Sequence, residues 1–356
     1  MGRRTISING EPWCRNLTGI ERVAIEVTKY LDGFVRPGQI ELVVPRNAEN
    51  LPELKNIKTV TLPVNADFMP KWTQIHFQGY VLRHHSVSLD FSNTCPFLCP
   101  GIEFIHDIYC RLYRQEFVSK RDRLINFYSR VMYRRIAKKA KAVITVSDYT
   151  KSTITAAYKI SPERISVVYA GLSAEYSQLK PDFSVFCRFP ALEEKPFYFT
   201  LGSLSSRKNP GWILRHAELF PDETFVISGK ALKSNVPAEL DGINSMPNII
   251  MTGYLSDAEV KAIYTRAKAF IFPSYFEGFG LPPLEALSCG CPVIISEASC
   301  LPEIYGGCAH YINPDDPAVD LDRVLDEPVD SPDSLLEKFT LRRTAERLYE
   351  VIQRYL

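Results

Sequence analysis

Short apolar runs alternate with longer stretches of helical spacing along the whole chain. In the first half the strand-like runs are 5–9, 40–44, 58–62, 74–77, 103–106, 143–146 and 165–169, with a helical pattern at 21–31 after a loop that contains Thr18 and Gly19. Strands separated by helices imply a parallel, doubly wound α/β sheet. Residues 181–196 are rich in turn and charged residues, lack periodicity and read as a linker. Beyond them the pattern repeats at 197–202, 225–229, 249–253, 269–273 and 293–296, and several of these runs end in glycine, where a chain turns away from a sheet. The expectation is two units, 1–180 and 181–339, whose sheets face each other across a cleft. Residues 334–356 read as a final amphipathic helix with Leu335, Leu336, Phe339, Leu348, Val351 and Ile352 on its apolar face, and its part from about 340 onward is expected to pack back on the first unit.

Composition adds little to that picture. With 356 residues, 46% of them hydrophobic, two cores are affordable. No run of 18 apolar residues occurs, so no membrane-spanning helix is expected. Gly2-Arg3-Arg4 leads into a strand-like run without a secretory apolar core, and Ile6 breaks the myristoylation pattern, which points to the cytoplasm. Nine cysteines without export signal or paired CxxC knuckles read as reduced and mostly buried, with no structural zinc.

Charge changes the picture more. The net charge of +1 conceals eleven Lys/Arg against two acidic residues between Arg111 and Lys141, which leaves −8 for the remainder. From Lys120 to Lys141 the spacing predicts an amphipathic helix with Leu124, Phe127, Tyr128, Val131, Met132 and Ile136 on one stripe and a basic outer face. Two readings stay open: a solvated surface helix docked on the core, or a surface that rests on an anionic membrane or holds an anionic, lipid-linked acceptor. The second would place the protein peripherally on the inner face of the membrane.

The chemistry concentrates in 269–303, AFIFPSYFEGFGLPPLEALSCGCPVIISEASCLPE. A strand runs into a glycine-bearing loop and then a helix expected to begin near Pro282 or Pro283, and the amides of that first turn can face an anion. Glu277 in the loop and Glu285 in the helix's first turn stand eight positions apart.

This string, with Gly290, Pro292-Val293 and Leu301-Pro302-Glu303 after it, resembles the retaining GT-B glycosyltransferases of family 4 type, which use nucleotide-sugar donors and carry an E-x7-E motif. Gly202-Ser-Leu-Ser-Ser-Arg207-Lys208-Asn209 is similar to that family's phosphate-binding turn, Thr252-Gly253-Tyr254-Leu255-Ser256-Asp257 to its nucleobase loop, Ile105-His106-Asp107 to its first-domain histidine motif, and Val146-Ser147-Asp148-Tyr149-Thr150-Lys151 to another first-domain motif. The resemblance covers most of the second half and the first half thinly. It implies two Rossmann-like domains. It also implies that Glu277 faces the transferred sugar, that Glu285 binds the ribose, and that His106 lines the donor sugar. Gly278, Phe279, Gly280, Leu281, Ser203, Gly253 and Tyr254 join Glu285 in holding the donor, while Thr18 and Gly19 belong to a loop that approaches phosphate or acceptor.

These residue types suit the chemistry. Arg207 and Lys208 supply positive charge to a departing diphosphate, and oriented amides after Phe279 add donors, a clamp that needs no metal or cofactor. A carboxylate can accept two hydrogen bonds side by side from vicinal hydroxyls. Against the family pattern, Thr18 precedes a single Gly19 where many relatives have a glycine pair, and Ser203 stands where many carry arginine. Gly278-Phe-Gly280 is not a dinucleotide fingerprint, because Pro283 occupies the third glycine position. Asp320-Leu-Asp322 is formally a metal-binding pair, but a solvated helical face accounts for it.

The expected activity is transfer of a hexose or deoxyhexose from a nucleotide-diphosphate sugar to a saccharide or lipid-linked saccharide hydroxyl, in polysaccharide or glycolipid assembly. Nucleic acid is not expected as a partner. A GT-B-fold epimerase or hydrolase would consume donor without acceptor, and a non-catalytic binder would hold donor without turnover.

Overall fold

The computed structural model describes residues 4–15, 19–229, 243 and 246–356. The chain divides into two compact units: Met1–Arg114, Lys120–Ser173 and Phe339–Leu356 form the first, and Gln115–Ser119 and Ala174–Lys338 the second. The chain thus leaves the first unit at Ser173, seven residues before the boundary drawn from the sequence, and re-enters it at Phe339.

The first unit is built on seven parallel strands, β1 (Ile6–Asn9), β2 (Ile40–Pro45), β3 (Lys58–Leu62), β4 (Val87–Asp90), β5 (Ile102–Phe104), β6 (Ala142–Thr145) and β7 (Ile165–Val167), in the order β3-β2-β1-β4-β5-β6-β7. The inner strands are buried on both faces, so they read as continuous apolar runs. β4 escapes that reading because Ser88 and Asp90 interrupt it. Both are fully buried and satisfied: Ser88 Oγ donates to Glu103 Oε1 at 2.5 Å, and Asp90 Oδ2 accepts from Asn9 Nδ2 at 2.6 Å.

The strand expected at 74–77 is instead helical. Met69–Lys71, a π-helical Trp72–Phe77 and Gln78–His84 form one continuous rod. Trp72 and Phe77 are five residues apart, and only the wider π turn puts both on the face that also buries Val81. In that turn the Trp72 indole N–H donates to Asn9 Oδ1 at 2.7 Å.

The second unit has six parallel strands, β8 (Phe197–Leu201), β9 (Thr224–Ser228), β10 (Ile249–Gly253), β11 (Ala269–Phe272), β12 (Val293–Ser296) and β13 (His310–Ile312), ordered β10-β9-β8-β11-β12-β13. Its core gathers Trp212, Ile213, Phe225, Ile227, Ile271 and Ile294 between sheet and helices. Residues 181–196 are no linker, because Val185, Phe186 and Leu192 on two short helices are buried. At Gly229 the backbone has φ +147, and a Cβ there would lie 1.8 Å from the Gly202 carbonyl oxygen. The ends of β8 and β9 therefore meet with no room for a side chain.

The expected long tail helix is two helices, Asp333–Lys338 and Leu341–Ile352. Between them Phe339 and Thr340 run extended beside Leu172, whose amide donates to Phe339 O at 2.9 Å while the Leu341 amide donates to Leu172 O at 2.9 Å. Thr340 then caps the last helix by accepting from the Arg343 amide. That helix lays Ala345, Leu348 and Ile352 toward the helix Gly19–Asp32, with Phe34 stacked on Tyr349.

The basic helix spans Lys120–Lys139, and four of the six residues of its expected stripe, Tyr128, Val131, Met132 and Ile136, reach the core. Met132 and Ile136 are buried, but Leu124 and Phe127 are exposed, and the positions that face inward include Asp122, Asn126 and Tyr133. Of the nine cysteines, Cys95, Cys291 and Cys300 are buried, Cys187 is exposed and the other five are half-buried, fewer buried than expected. Among the described residues no helix is long and apolar enough to cross a membrane.

Candidate functional site

The second sheet reverses its strand order between β8 and β11, and open α/β sheets bind ligands beyond the carboxyl ends of strands at such a point. Both of these strand ends carry residues singled out from the sequence. After β8 the chain passes Gly202 and Ser203 into a short helical turn, Ser206–Lys208, that ends on Asn209 at φ 53. Asn209 is buried, and its side-chain amide donates to Pro273 O at 3.1 Å and to Pro314 O at 2.8 Å. The Tyr275 amide donates to Arg207 O at 3.0 Å. These bonds fasten the turn after β8 to the turn after β11.

Consequently Lys208 Nζ donates to Glu277 Oε1 at 2.7 Å and lies 4.5 Å from the Phe272 ring centre, while Arg207 Nη1 stands 3.9 Å from Glu277 Oε2. Glu277 is 5% exposed. Burial alone would raise its pKa, but Lys208 and Arg207 outweigh burial and hold the carboxyl below its ordinary value. Its backbone is fixed as well, since the Glu277 amide donates to Ser299 Oγ at 3.0 Å and the Cys300 thiol to Glu277 O at 3.3 Å. Tyr275 and Ser299 were not singled out from the sequence, and Asn209 entered only as the last residue of the turn motif; its αL turn and the positive φ of Ser299 are visible only in the fold.

Gly278, Phe279 and Gly280 are buried and lead into the helix Leu281–Ser288. Gly280 has φ +86, and a Cβ on it would come within 2.7 Å of the Leu301 side chain. The helix begins at Leu281, one residue earlier than expected, and has no side-chain cap. Glu285, its fifth residue, sits in the second turn rather than the first and is half-buried. Tyr264 and Tyr305 hold the start of this helix through hydroxyls that donate to Pro282 O, at 3.2 Å, and to Gly280 O. At the end of β10, Gly253 has φ +70 and Tyr254 is 72% exposed, a flat ring presented to solvent. Ser203 Oγ lies 3.2 Å from Ser205 Oγ.

In the first unit the order reverses between β1 and β4. His106, two residues beyond β5, is half-buried and stacks on Phe104. Its Nε2 hydrogen-bonds to Phe91 O at 2.6 Å, so Nε2 carries the proton and Nδ1 the lone pair. Burial lowers its pKa against the opposing effect of that bond, which keeps the ring neutral near pH 7. Gly19 is the first residue of the helix Gly19–Asp32, and Thr18 lies outside the described residues.

One polar network here went unread in the sequence. Glu11, after β1, is 3% exposed, and its Oε1 receives the Arg15 Nε at 2.5 Å. Arg15 Nη1 also donates to Glu21 Oε1 at 2.9 Å. Burial, assisted by nearby Asp90, pushes Glu11 up to about 7 despite Arg15. Asp90 is itself pushed up to about 6 by burial.

Asp320 caps the helix Leu321–Leu325 by accepting from the amides of Asp322 and Arg323. Asp322 accepts from the Tyr198 hydroxyl at 2.8 Å and from Lys268, so both carboxylates serve the fold. Among the described residues no group of three or more His, Cys, Asp or Glu is placed to hold a metal ion.

Residues 187–317 match the family model of the group 1 glycosyl transferases, and residues 17–176 that of glycosyltransferase family 4. The O-antigen chain mannosyltransferase RfbU of Salmonella typhimurium is 25% identical over 293 residues, 81% of this chain and 76% of that protein. O-antigen chain mannosyltransferase B of Escherichia coli is 31% identical over 189 residues, about half of each chain. In architecture the chain resembles sucrose-phosphate synthase of Thermosynechococcus elongatus, with a TM-score of 0.72, 16% identity and 99% of both chains covered. It also resembles Anabaena Alr3699/HepE in complex with UDP and glucose, with a TM-score of 0.68, 15% identity, and 99% of this chain and 100% of that one covered.

Proposed function

Because this chain belongs to the GT-B glycosyltransferases of family 4 type, we propose that it transfers a hexose from a nucleotide diphosphate to a saccharide hydroxyl with retention of anomeric configuration. The names of its relatives favour mannose and O-antigen-like polysaccharide as the sugar and the setting. The observation that carries the reading is the Lys208–Glu277 pair, with Arg207 beside it, at the strand-order reversal of the second sheet.

A nucleotide diphosphate leaves as an anion, and its departure is the step that needs charge stabilisation. Lys208 and Arg207 meet that need. A diphosphate competes with the Glu277 carboxylate for Lys208 Nζ, and this frees a Glu277 oxygen to accept from a hydroxyl of the transferred sugar. Glu285 accepts from the ribose hydroxyls, and the Tyr254 ring offers a face for the base. No protein carboxylate needs to act as base, because the departing phosphate oxygen can take the acceptor's proton as it leaves.

Donor identity is tested by thermal shift with UDP-, GDP-, ADP- and TDP-sugars, since a ligand that binds the folded state raises its melting temperature. With the matching donor, Glu285→Ala should weaken donor binding by about tenfold or more, the scale of one charge-assisted hydrogen bond. Glu277→Gln should instead lower kcat by about a hundredfold, in the range of lost transition-state contacts. Unchanged donor affinity in Glu285→Ala would remove its ribose role. Release of free sugar without any glycosylated product would exclude transfer.

A further inference from the structure

At the carboxyl end of the edge strand β3 lies a cavity of about 360 Å³, within the size range of small-molecule pockets. Leu62 and Val64 line it from the strand side, and the helical rod Met69–His84 lines it from the other. Residues four apart on a helix are neighbours, so the rod contributes two adjacent stripes. Ile75, Gly79 and Arg83 form one, and His76, Tyr80 and His84 the other. The π turn of the rod carries Ile75 and His76 to this wall, and π turns are frequent at functional sites.

Packing of the fold does not account for this wall. Gly79 is exposed in the interior of the rod, where glycine weakens a helix relative to alanine. A Cβ on it would meet nothing within 4 Å, so there is room for a side chain and none is present. Ile75 is apolar yet 60% exposed. His84 lies flat on Tyr80, with ring centres 4.1 Å apart and planes 24° apart. Burial and a hydrogen bond to Glu41 push the Tyr80 hydroxyl up to about 12, so that end of the ring is anchored. The side chains of His76, Arg83 and His84 make no hydrogen bond or ion pair among the described residues.

We propose that this cavity is a saccharide subsite, which holds sugar units of the acceptor set back from the hydroxyl that reacts. The proposal rests on the glycosyl-transfer reading above and deepens it. A pyranose offers C–H faces to aromatic and aliphatic surface and hydroxyls to side-chain donors and acceptors. The Tyr80–His84 stack and Ile75 match the first, and His76 and Arg83 match the second. A purely ionic ligand leaves Ile75 and the stack in water, and a purely apolar chain leaves the donors unpaired. The location fits an extended acceptor. Strands β3, β2, β1 and β4 run parallel, so the end of β3 lies on the same side of the sheet as the reversal between β1 and β4. Two strand spacings, about 10 Å, separate it from β1.

The test is saturation-transfer NMR titration of the full chain with di- and tetrasaccharides of mannose, glucose and galactose. At least one tetrasaccharide should bind. Gly79→Leu removes no contact, occupies the open space between Ile75 and Arg83, and replaces glycine by a better helix former. It should weaken that binding by about tenfold or more while the melting temperature holds or rises and the donor-induced thermal shift is unchanged. Should Gly79→Leu fail to fold, His84→Ala gives an independent reading at an exposed position, and it too should weaken binding by about tenfold or more. No binding by any of these saccharides, or undiminished binding in either folded variant, would overturn the proposal. So would binding of inorganic phosphate with no saccharide bound, which would mark an anion site. A donor-induced shift with saccharide binding indifferent to both variants strikes the subsite alone. Absence of any donor-induced shift in the native chain strikes the transfer reading, and the subsite falls with it as an acceptor site.

Discussion

Replacing Lys208 with methionine should reverse the way the second unit responds to pH. In the native chain Glu277 is buried, yet its pKa is held below 4.5 because Lys208 at 2.7 Å and Arg207 at 3.9 Å outweigh desolvation. A carboxylate with a depressed folded pKa contributes stability that is fully present above about 4.5 and is lost as pH falls through the depressed value. Methionine keeps the packing against Phe272 and removes the nearer cation. Desolvation, the largest single influence on Glu277, then moves its carboxyl above 4.5, and ionised Glu277 becomes a cost that grows as pH rises. Breaking a buried pair from one side typically costs about 3–5 kcal/mol. That loss should be near full at pH 8 and shrink toward pH 4, where the variant's Glu277 takes up a proton. The measurement is native-state hydrogen exchange of peptides covering β8 and β11, corrected for intrinsic exchange rates, at several pH values. A difference between native chain and variant that stays constant over this range would refute the reasoning.

Glu11→Gln should behave in the opposite sense in the first unit. Glu11 is pushed from 4.5 up to about 7, so its folded state favours the proton, and ionisation destabilises the fold progressively between about pH 4.5 and 7. Glutamine keeps the acceptor for Arg15 and removes the charge, so its stability advantage over the native chain should grow by about 3 kcal/mol across that window in urea unfolding at stepped pH. Gly229→Ala should leave the protein mostly insoluble, since its Cβ would overlap the Gly202 carbonyl at a backbone conformation that L-residues rarely adopt; normal soluble yield and an unchanged melting temperature would contradict the close crossing.

The second unit was the more legible half, for a physical reason. Its strands are short apolar runs bounded by glycines, and the residues that meet at the strand-order reversal follow directly on β8 and β11, so sequence adjacency already placed Arg207, Lys208 and Glu277 at strand ends. That Lys208 bonds to Glu277 was not legible, because Asn209 sets the approach through two carbonyls far along the chain. In the first unit, polar residues inside elements misled the reading. Ser88 and Asp90 hide β4 because their partners lie on other strands, and the five-residue step from Trp72 to Phe77 fits a π turn that no simple period describes. The basic helix was assigned its periodicity correctly, and Tyr128, Val131, Met132 and Ile136 pack on the core as expected, while Leu124 and Phe127 nearer its start face solvent. An apolar stripe alone does not say how far along a helix the core extends, and toward this helix's start the buried positions are Asp122 and Asn126 instead.

The return of the chain at Phe339 has a consequence for biosynthesis. The helix Leu341–Ile352, which packs on Gly19–Asp32, is the last part of the first unit to leave the ribosome. The 165 residues from Ala174 to Lys338 must be translated in between, which takes roughly 8–30 s at ordinary elongation rates. Throughout that interval the side of Gly19–Asp32 awaiting its partner is bare on the nascent chain, and a message truncated before Phe339 would release it that way permanently.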